Sequence, residues 1–274
     1  MSLIISATDF SDIGTNAINY ACRIAQEQGS ELMILHCYSV PIMFSDGPMP
    51  VNFINDTAQD AEEHMHRLLI DLYQAYPSVS IKGEVVFGDI LDAIDKYATE
   101  HEKPWLIVVG NSTTSDRGTW PGSTVMDAFN NLRYPVMAIP HDVKYKPIKN
   151  ICFAFDNKHS GNITAMLRLA DIKQKLNADL HVLNVQTEGD NINDTEIDPI
   201  VRNLLSPTDP DYMVVANSDV NQAIETFVQD NNTDLLIMIP RKHSFFEGLF
   251  HRSHTKAVTH VSHIPVLALH ESQV

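Results

Sequence analysis

Leu3-Ile-Ile-Ser-Ala-Thr-Asp9 and Ile151-Cys-Phe-Ala-Phe-Asp156 are two short apolar runs, each ended by an aspartate. A polar turn follows each run, and then apolar residues at helical spacing. They are Ile13, Ala17, Tyr20, Ala21, Ile24 and Ala25 after the first run, and Ile163, Met166, Leu167, Leu169 and Ala170 after the second. The parallel continues to the end of the chain. Residues 31–38 match 179–185, and 85–89 match 213–219, each of the latter leading into a helix that carries Ala93-Ile94 or Ala223-Ile224. The apolar run 106–110 matches 236–240, and the copies close with Tyr134-Pro-Val and Ile264-Pro-Val. The same plan therefore stands twice in one chain.

The register of the copies locates their difference. Asp9 and Asp156 lie 147 residues apart, whereas Asp89 and Asp219, like Pro135 and Pro265, lie 130 apart. The second copy is thus 17 residues shorter between its second and third strands, where the first has a loop over 39–55 and a helix over 56–76. Nearly continuous apolar strands that alternate with helices predict parallel strands covered on both faces. Each copy reads as an open, doubly wound, Rossmann-like α/β sheet of five strands. The boundary falls in the polar stretch 141–149, giving domains 1–146 and 147–274.

The totals narrow the function classes. Over 274 residues, 19 Lys and Arg stand against 35 Asp and Glu, a net charge of −16. Phosphate backbones are held by clustered basic residues, so a nucleic-acid partner is not expected. A small anion remains compatible, because backbone N–H groups bind phosphate in acidic proteins too. No apolar run approaches the roughly 18 residues of a membrane span, and the first residues lack a basic stretch before an apolar one. A cytoplasmic protein without membrane attachment is expected. Cys22, Cys37 and Cys152 show no paired spacing and sit in apolar surroundings, which predicts reduced, buried thiols.

In an open parallel sheet, ligands bind beyond the carboxyl ends of the strands where strand order reverses. Asp9, Cys37 and Gly110 end the first, second and fourth strands. The loop Gly110-Asn-Ser-Thr-Thr-Ser-Asp-Arg-Gly-Thr-Trp-Pro-Gly-Ser-Thr124 runs straight into a helix. Its glycines and hydroxyls suit an anion held by N–H groups at a helix N-terminus. Ser123 or Thr124 acting simply as the helix cap explains the same residues.

Ala7-Thr-Asp-Phe-Ser11, Leu35-His-Cys37, Gly88-Asp89, the 110–123 loop and the Tyr134-Pro-Val ending together resemble the universal stress protein family, in tandem form and over nearly the whole chain. The resemblance implies an adenine nucleotide alpha hydrolase-like fold, with the two domains paired through their last strands, 136–139 and 266–269, as an intramolecular pseudo-dimer. It implies ATP, with Mg²⁺, as cofactor. Asp9 would accept a hydrogen bond from the nucleoside, and Cys37 would offer its backbone to adenine. Gly110, Gly122 and Ser123 would line the phosphates, with Ala7, Thr8, Asn111 and Thr124 flanking them. ATP-binding members carry a Gly-x2-Gly-x9-Gly-Ser/Thr loop. Here Thr113 replaces the second glycine, and eight residues, not nine, separate it from Gly122. In the second copy Pro240, His243 and Arg252 replace all three glycines and only Ser253 survives, so an ordinary phosphate loop is not expected there.

Residues 241–256 carry four Lys or Arg and three His against one Glu. They read as an anion site built on Arg241, Lys242 and Arg252, as a metal cluster of His243, His251 and His254, or as a loop packed through Phe245, Phe246, Leu249 and Phe250. Asp60, Glu63 and His64 share one helix face and read as a solvated face rather than a metal site. His260, His263 and His270 are expected in core or interface roles. No P-loop, nucleophile elbow or HExxH is found, and no general base can be named. The sequence therefore reads as a non-enzymatic stress-response protein that senses adenine nucleotide through its first domain. The alternatives are a protein-interaction module that uses 241–256 for an unknown protein partner and binds no nucleotide, and a slow ATPase or nucleotidyl enzyme. Association of two chains into a homodimer is compatible with all three.

Overall fold

Nearly continuous apolar runs and 3.6-period stripes alternate along the chain and become strands and helices in turn. The computed structural model describes residues 2–39, 51–111, 122–155, 163–187, 197–240 and 263–270. The first half runs β1 (Leu3–Thr8), α1 (Asp12–Gln28), β2 (Glu31–Tyr38), α2 (Val51–Ala75), β3 (Ile81–Phe87), α3 (Ile90–Glu100), β4 (Pro104–Asn111), α4 (Gly122–Asn131) and β5 (Val136–Pro140). The second runs β6 (Asn150–Phe155), α5 (Ile163–Leu176), β7 (Asp179–Gln186), α6 (Pro199–Leu205), β8 (Asp211–Ala216), α7 (Val220–Asp230), β9 (Leu235–Met238) and β10 (Val266–Ala268). No helix among the described residues is long and apolar enough to cross a membrane.

All ten strands form one sheet in the order β3-β2-β1-β4-β5-β10-β9-β6-β7-β8. Each half is parallel within itself. The halves meet where β5 and β10 pair antiparallel, with Val266 opposite Ala138, Leu267 opposite Met137 and Ala268 opposite Val136. The pairing of last strands that the family resemblance implied is therefore realised within the chain. It joins two strands that would otherwise be bare apolar edges, and the cores on both faces of the sheet run through it. Leu267 packs with Met137 and Ile139 on one face, and Val266 and Ala268 with Val136 and Ala138 on the other.

Side chains secure the join on either side. The buried His270 lies 2.6 Å, through Nε2, from the Phe129 carbonyl at the end of α4, so Nε2 carries the proton. Arg168 on α5 donates to the Arg133 carbonyl at 2.8 Å, and His263 meets Asp142 at 2.8 Å. His263 and His270 thus hold the interface and core roles expected of them, while His260 lies outside the described residues. The connection 141–149 is itself tied down. Asn16 donates to the carbonyls of Pro140 and Val143 and accepts from Lys144, and Tyr145 packs edge-on against Tyr20. Asp234 accepts from Lys146 at 2.6 Å and from the backbone N–H groups of Lys149 and Asn150. Burial alone would raise the Asp234 carboxyl, but these donors outweigh it and hold it below the usual carboxylate range.

Three expectations are corrected. On α5 the buried stripe is Ala165, Met166, Leu169 and Ile172, whereas Ile163 and Leu167 are 54% and 57% exposed. Apolar residues stand on both sides of this helix, and the side with the small Ala165 lies against the sheet. Cys22 and Cys152 are buried as expected, but Cys37 is only half-buried because β2 ends there, at the rim of the sheet. The first half's extra helix begins at Val51 rather than 56 and spans 25 residues; its counterpart α6 has seven, followed by one 3-10 turn. This is where the 17-residue difference lies.

Leu267 is fully buried at the join. Leu267→Ala should lower the unfolding free energy by about 2–5 kcal/mol. Both tryptophans, Trp105 and Trp120, lie in the first half, yet their fluorescence midpoint in urea should fall together with the far-UV circular dichroism. A fluorescence midpoint that stays put would mean that the halves unfold independently.

Candidate functional site

The order β2-β1-β4 sets the carboxyl ends of these parallel strands side by side, and strand order switches between β1 and β4. Thr8 lies opposite His36, and Ser6 opposite Val108, so Asp9, Cys37, Gly110 and Asn111 gather at one end of the sheet. These candidates come together as the sequence predicts. Ala7 and Thr8 are nearly fully buried and lie beneath these ends.

A tight turn holds Asp9. The Phe10 N–H donates to Thr8 Oγ1 at 3.0 Å, and Phe10 adopts a left-handed φ of 60°. Such a conformation is uncommon for a bulky side chain and marks a strained turn. Asp9 Oδ1 accepts from the Ser11 N–H at 3.0 Å and from the Ser11 hydroxyl. Ser11 Oγ in turn accepts from the Gly14 N–H and caps α1. One carboxylate oxygen is thereby spent on fixing the turn, and Oδ2 has no hydrogen-bond partner among the described residues.

Two glycines let α1 approach this closely. A Cβ on Gly14 would stand 2.8 Å from Asp9 Oδ1 and 2.9 Å from Thr8 Oγ1. A Cβ on Gly110 would stand 2.8 Å from Ile13 Cγ2 and 2.9 Å from the Ile13 carbonyl oxygen. Gly110 is thus required by the packing of β4 against α1, whatever else it does.

His36 and Phe10 belong to the same site, although the sequence reading did not select them. The His36 Nδ1 lies 2.8 Å from the Thr8 carbonyl. A carbonyl only accepts, so Nδ1 carries the proton and the neutral ring keeps an acceptor at Nε2. The His36 ring stacks, tilted, against Phe10 at 4.2 Å, and His64 of α2 approaches Phe10 from 5.5 Å. Burial holds His36 below its ordinary value, outweighing the Thr8 hydrogen bond and the Asp9 charge that oppose the shift. In the second half Asn184 takes this place and donates to the Phe155 carbonyl at 3.0 Å. A polar residue at matched positions of two apolar strands was the available signal.

Burial, reinforced by Asp89 and Asp92, pushes the Cys37 thiol up to about 11, so it stays protonated and is no nucleophile at neutral pH. Asp89 itself caps α3, accepting from Leu91 and Asp92. Glu63 pairs with Arg67 along α2, and His64 Nδ1 bonds the Asp60 carbonyl within the same helix. No group of three metal-binding side chains occurs among the described residues. Gly122, Ser123 and Thr124 form the start of α4. Their side chains, the loop 112–121, Asp156 and the basic segment 241–256 lie outside the described residues.

Comparisons with known proteins agree with this architecture. The universal stress protein family model matches residues 1–140 and 206–270. A universal stress protein structure from Archaeoglobus fulgidus DSM 4304 superposes over 98% of both chains with a TM-score of 0.69 at 18% identity. A putative universal stress protein from Pseudomonas aeruginosa UCBPP-PA14 covers 98% of this chain and 92% of its own, with a TM-score of 0.52 at 13% identity. A universal stress protein solved in complex with cAMP covers 50% of this chain and 96% of its own, with a TM-score of 0.39 at 23% identity. No curated protein matches the sequence.

The depressed His36 value has a sign that can be checked. The unfolded ring takes up a proton near 6.5, the folded ring only at lower pH. The stability that neutral His36 supports is complete above the unfolded value and is lost as pH falls through the folded one. His36→Asn copies the arrangement at Asn184 and has no such proton to bind. Its urea midpoint should fall less than the parent's between about pH 7.5 and about pH 5; equal losses would disprove the assignment.

Proposed function

Because this chain belongs to the universal stress protein family, we propose that it is a cytoplasmic stress-response protein whose first domain, residues 1–146, senses ATP or a related adenine nucleotide without evident catalysis. The observation that carries this reading is the placement of Asp9. Its carboxylate is braced through one oxygen by Ser11 and stands at the switch in strand order between β1 and β4, beside the close-packed Gly110. A fixed carboxylate with a free oxygen is suited to accept hydrogen bonds from ribose hydroxyls.

In this reading Oδ2 of Asp9 takes the sugar, and the backbone at Cys37 takes the adenine edge. Phe10 and His36 form the wall beside them. Gly110, Asn111 and the N–H groups of Gly122, Ser123 and Thr124 at the start of α4 take the phosphates with their Mg²⁺, aided by the positive end of the helix. Ala7 and Thr8 lie beneath the site and hold its floor. A protonated Cys37 thiol agrees with binding rather than turnover at that residue. The second domain, residues 147–274, has Pro240 and Arg252 where a phosphate loop needs glycines and serves as the structural partner.

Isothermal titration of nucleotide-stripped protein with ATP and Mg²⁺ tests this directly. One site per chain is expected, weakened roughly tenfold or more in Asp9→Ala, the scale of a lost charge-assisted hydrogen bond. Two sites would mean that the second domain binds despite Pro240 and Arg252. No heat and no competition at millimolar ATP would overturn the sensor and leave the protein-interaction module.

A further inference from the structure

The ten-stranded sheet ends in two edges, β3 and β8, and they are finished differently. β3 is guarded. Lys82 and Glu84 stand exposed along it, and Lys82 reaches Glu31 at 3.9 Å. The hydroxyl of Tyr73 donates to the Ile81 carbonyl at 3.0 Å. The 25-residue α2 lies so close that a Cβ on Gly83 would meet Met65 Sδ at 2.5 Å. Charges and a covering helix are the usual protections of a sheet edge.

β8 has neither. Residues 212–216, Tyr-Met-Val-Val-Ala, carry no charge, and Met213 and Val214 are 40% and 37% exposed. The helix that would cover this margin is the seven-residue α6, cut short by the 17 residues missing from the second copy. Among the described residues β8 pairs only with β7. The Asn217 N–H bonds the Gln186 carbonyl of β7. In a parallel ladder the polar groups of successive residues face opposite sides, so Met213 and Val215 also face β7. Tyr212, Val214 and Ala216 turn their N–H and C=O groups outward.

We propose that β8 is a self-association edge, pairing antiparallel with β8 of a second copy about a twofold axis at Val214. This register sets Tyr212 against the second copy's Ala216, and Met213 against its Val215, so the whole uncharged run is paired. It also sets Asp211 against Asn217 rather than against another aspartate, which matters between two chains of net charge −16. The chain already closes two apolar edges in this manner at β5 and β10. A second copy brings the same short, uncharged strand, and the product is a continuous sheet across two chains. The assignment is independent of the nucleotide reading.

Light scattering coupled to size exclusion tests it on the full chain. The wild type should shift from monomer to dimer as concentration rises into the tens of micromolar. Val214→Pro removes an outward N–H that no strand among the described residues uses, a substitution edge strands tolerate, and Val214→Lys places like charges face to face on the axis. Both should remain monomeric with an unchanged circular dichroism spectrum. The twofold brings the two Val214 Cα atoms to about 5.5 Å, within the ~4.4–6.8 Å span of a disulfide. Val214→Cys should therefore oxidise to a covalent dimer, while Tyr212→Cys should not. A wild type that stays monomeric, a dimer that persists in Val214→Lys, or a Tyr212→Cys that crosslinks as readily would overturn the proposal.

Discussion

The three-rung antiparallel contact between β5 and β10 is the constraint on which the rest of the molecule depends. Without it, each half would be an open five-stranded sheet ending in a fully buried type of strand, with apolar side chains on both faces and unpaired backbone groups along one side. With it, those groups are satisfied and the cores above and below the sheet become continuous from one half to the other. The polar ties from His270, Arg168 and Asp234 stand beside this contact. They add direction to an attachment whose driving force is burial.

Packing at the other end of the strands defines the candidate site. The first turn of α1 can sit on Thr8 and Asp9 only because residue 14 has no side chain, and β4 can end against Ile13 only because residue 110 has none. These close approaches force the chain through the left-handed turn at Phe10, and the turn in turn aims the Asp9 carboxylate. The halves differ here in chemistry rather than in plan. His36 and Asn184 hold equivalent carbonyls, yet the histidine brings a titratable ring, stacked on Phe10.

Much of this was legible in the sequence because it follows from repetition and period. The meeting of the last strands was implied by the family resemblance; the two copies, their parallel strands and the shortened connection all rest on patterns extending over many residues. So does the gathering of Asp9, Cys37 and Gly110, since strand ends follow from strand order. What escaped was set by contacts between distant segments. The buried side of α5 could not be read, because Ile163 and Leu167 make the opposite side equally apolar. The place of His36 depends on a carbonyl 28 residues away and on the conformation of Phe10. Cys37 shares its apolar setting with Cys22, but it falls at the rim of the sheet, whereas Cys22 faces the sheet from the middle of α1.

The central seam has a consequence for the order in which the molecule can be made. Val266 is synthesised 128 residues after its partner Ala138, an interval on the order of ten seconds at ordinary rates of chain elongation. Through that interval the first half can complete its own sheet, yet it must present β5 to the surroundings as an unclaimed apolar edge. The strand that shields it is made only after β6, β7, β8 and β9. The nascent protein therefore passes through a state that is largely folded and at its most adhesive, and truncation shortly before β10 would hold it there.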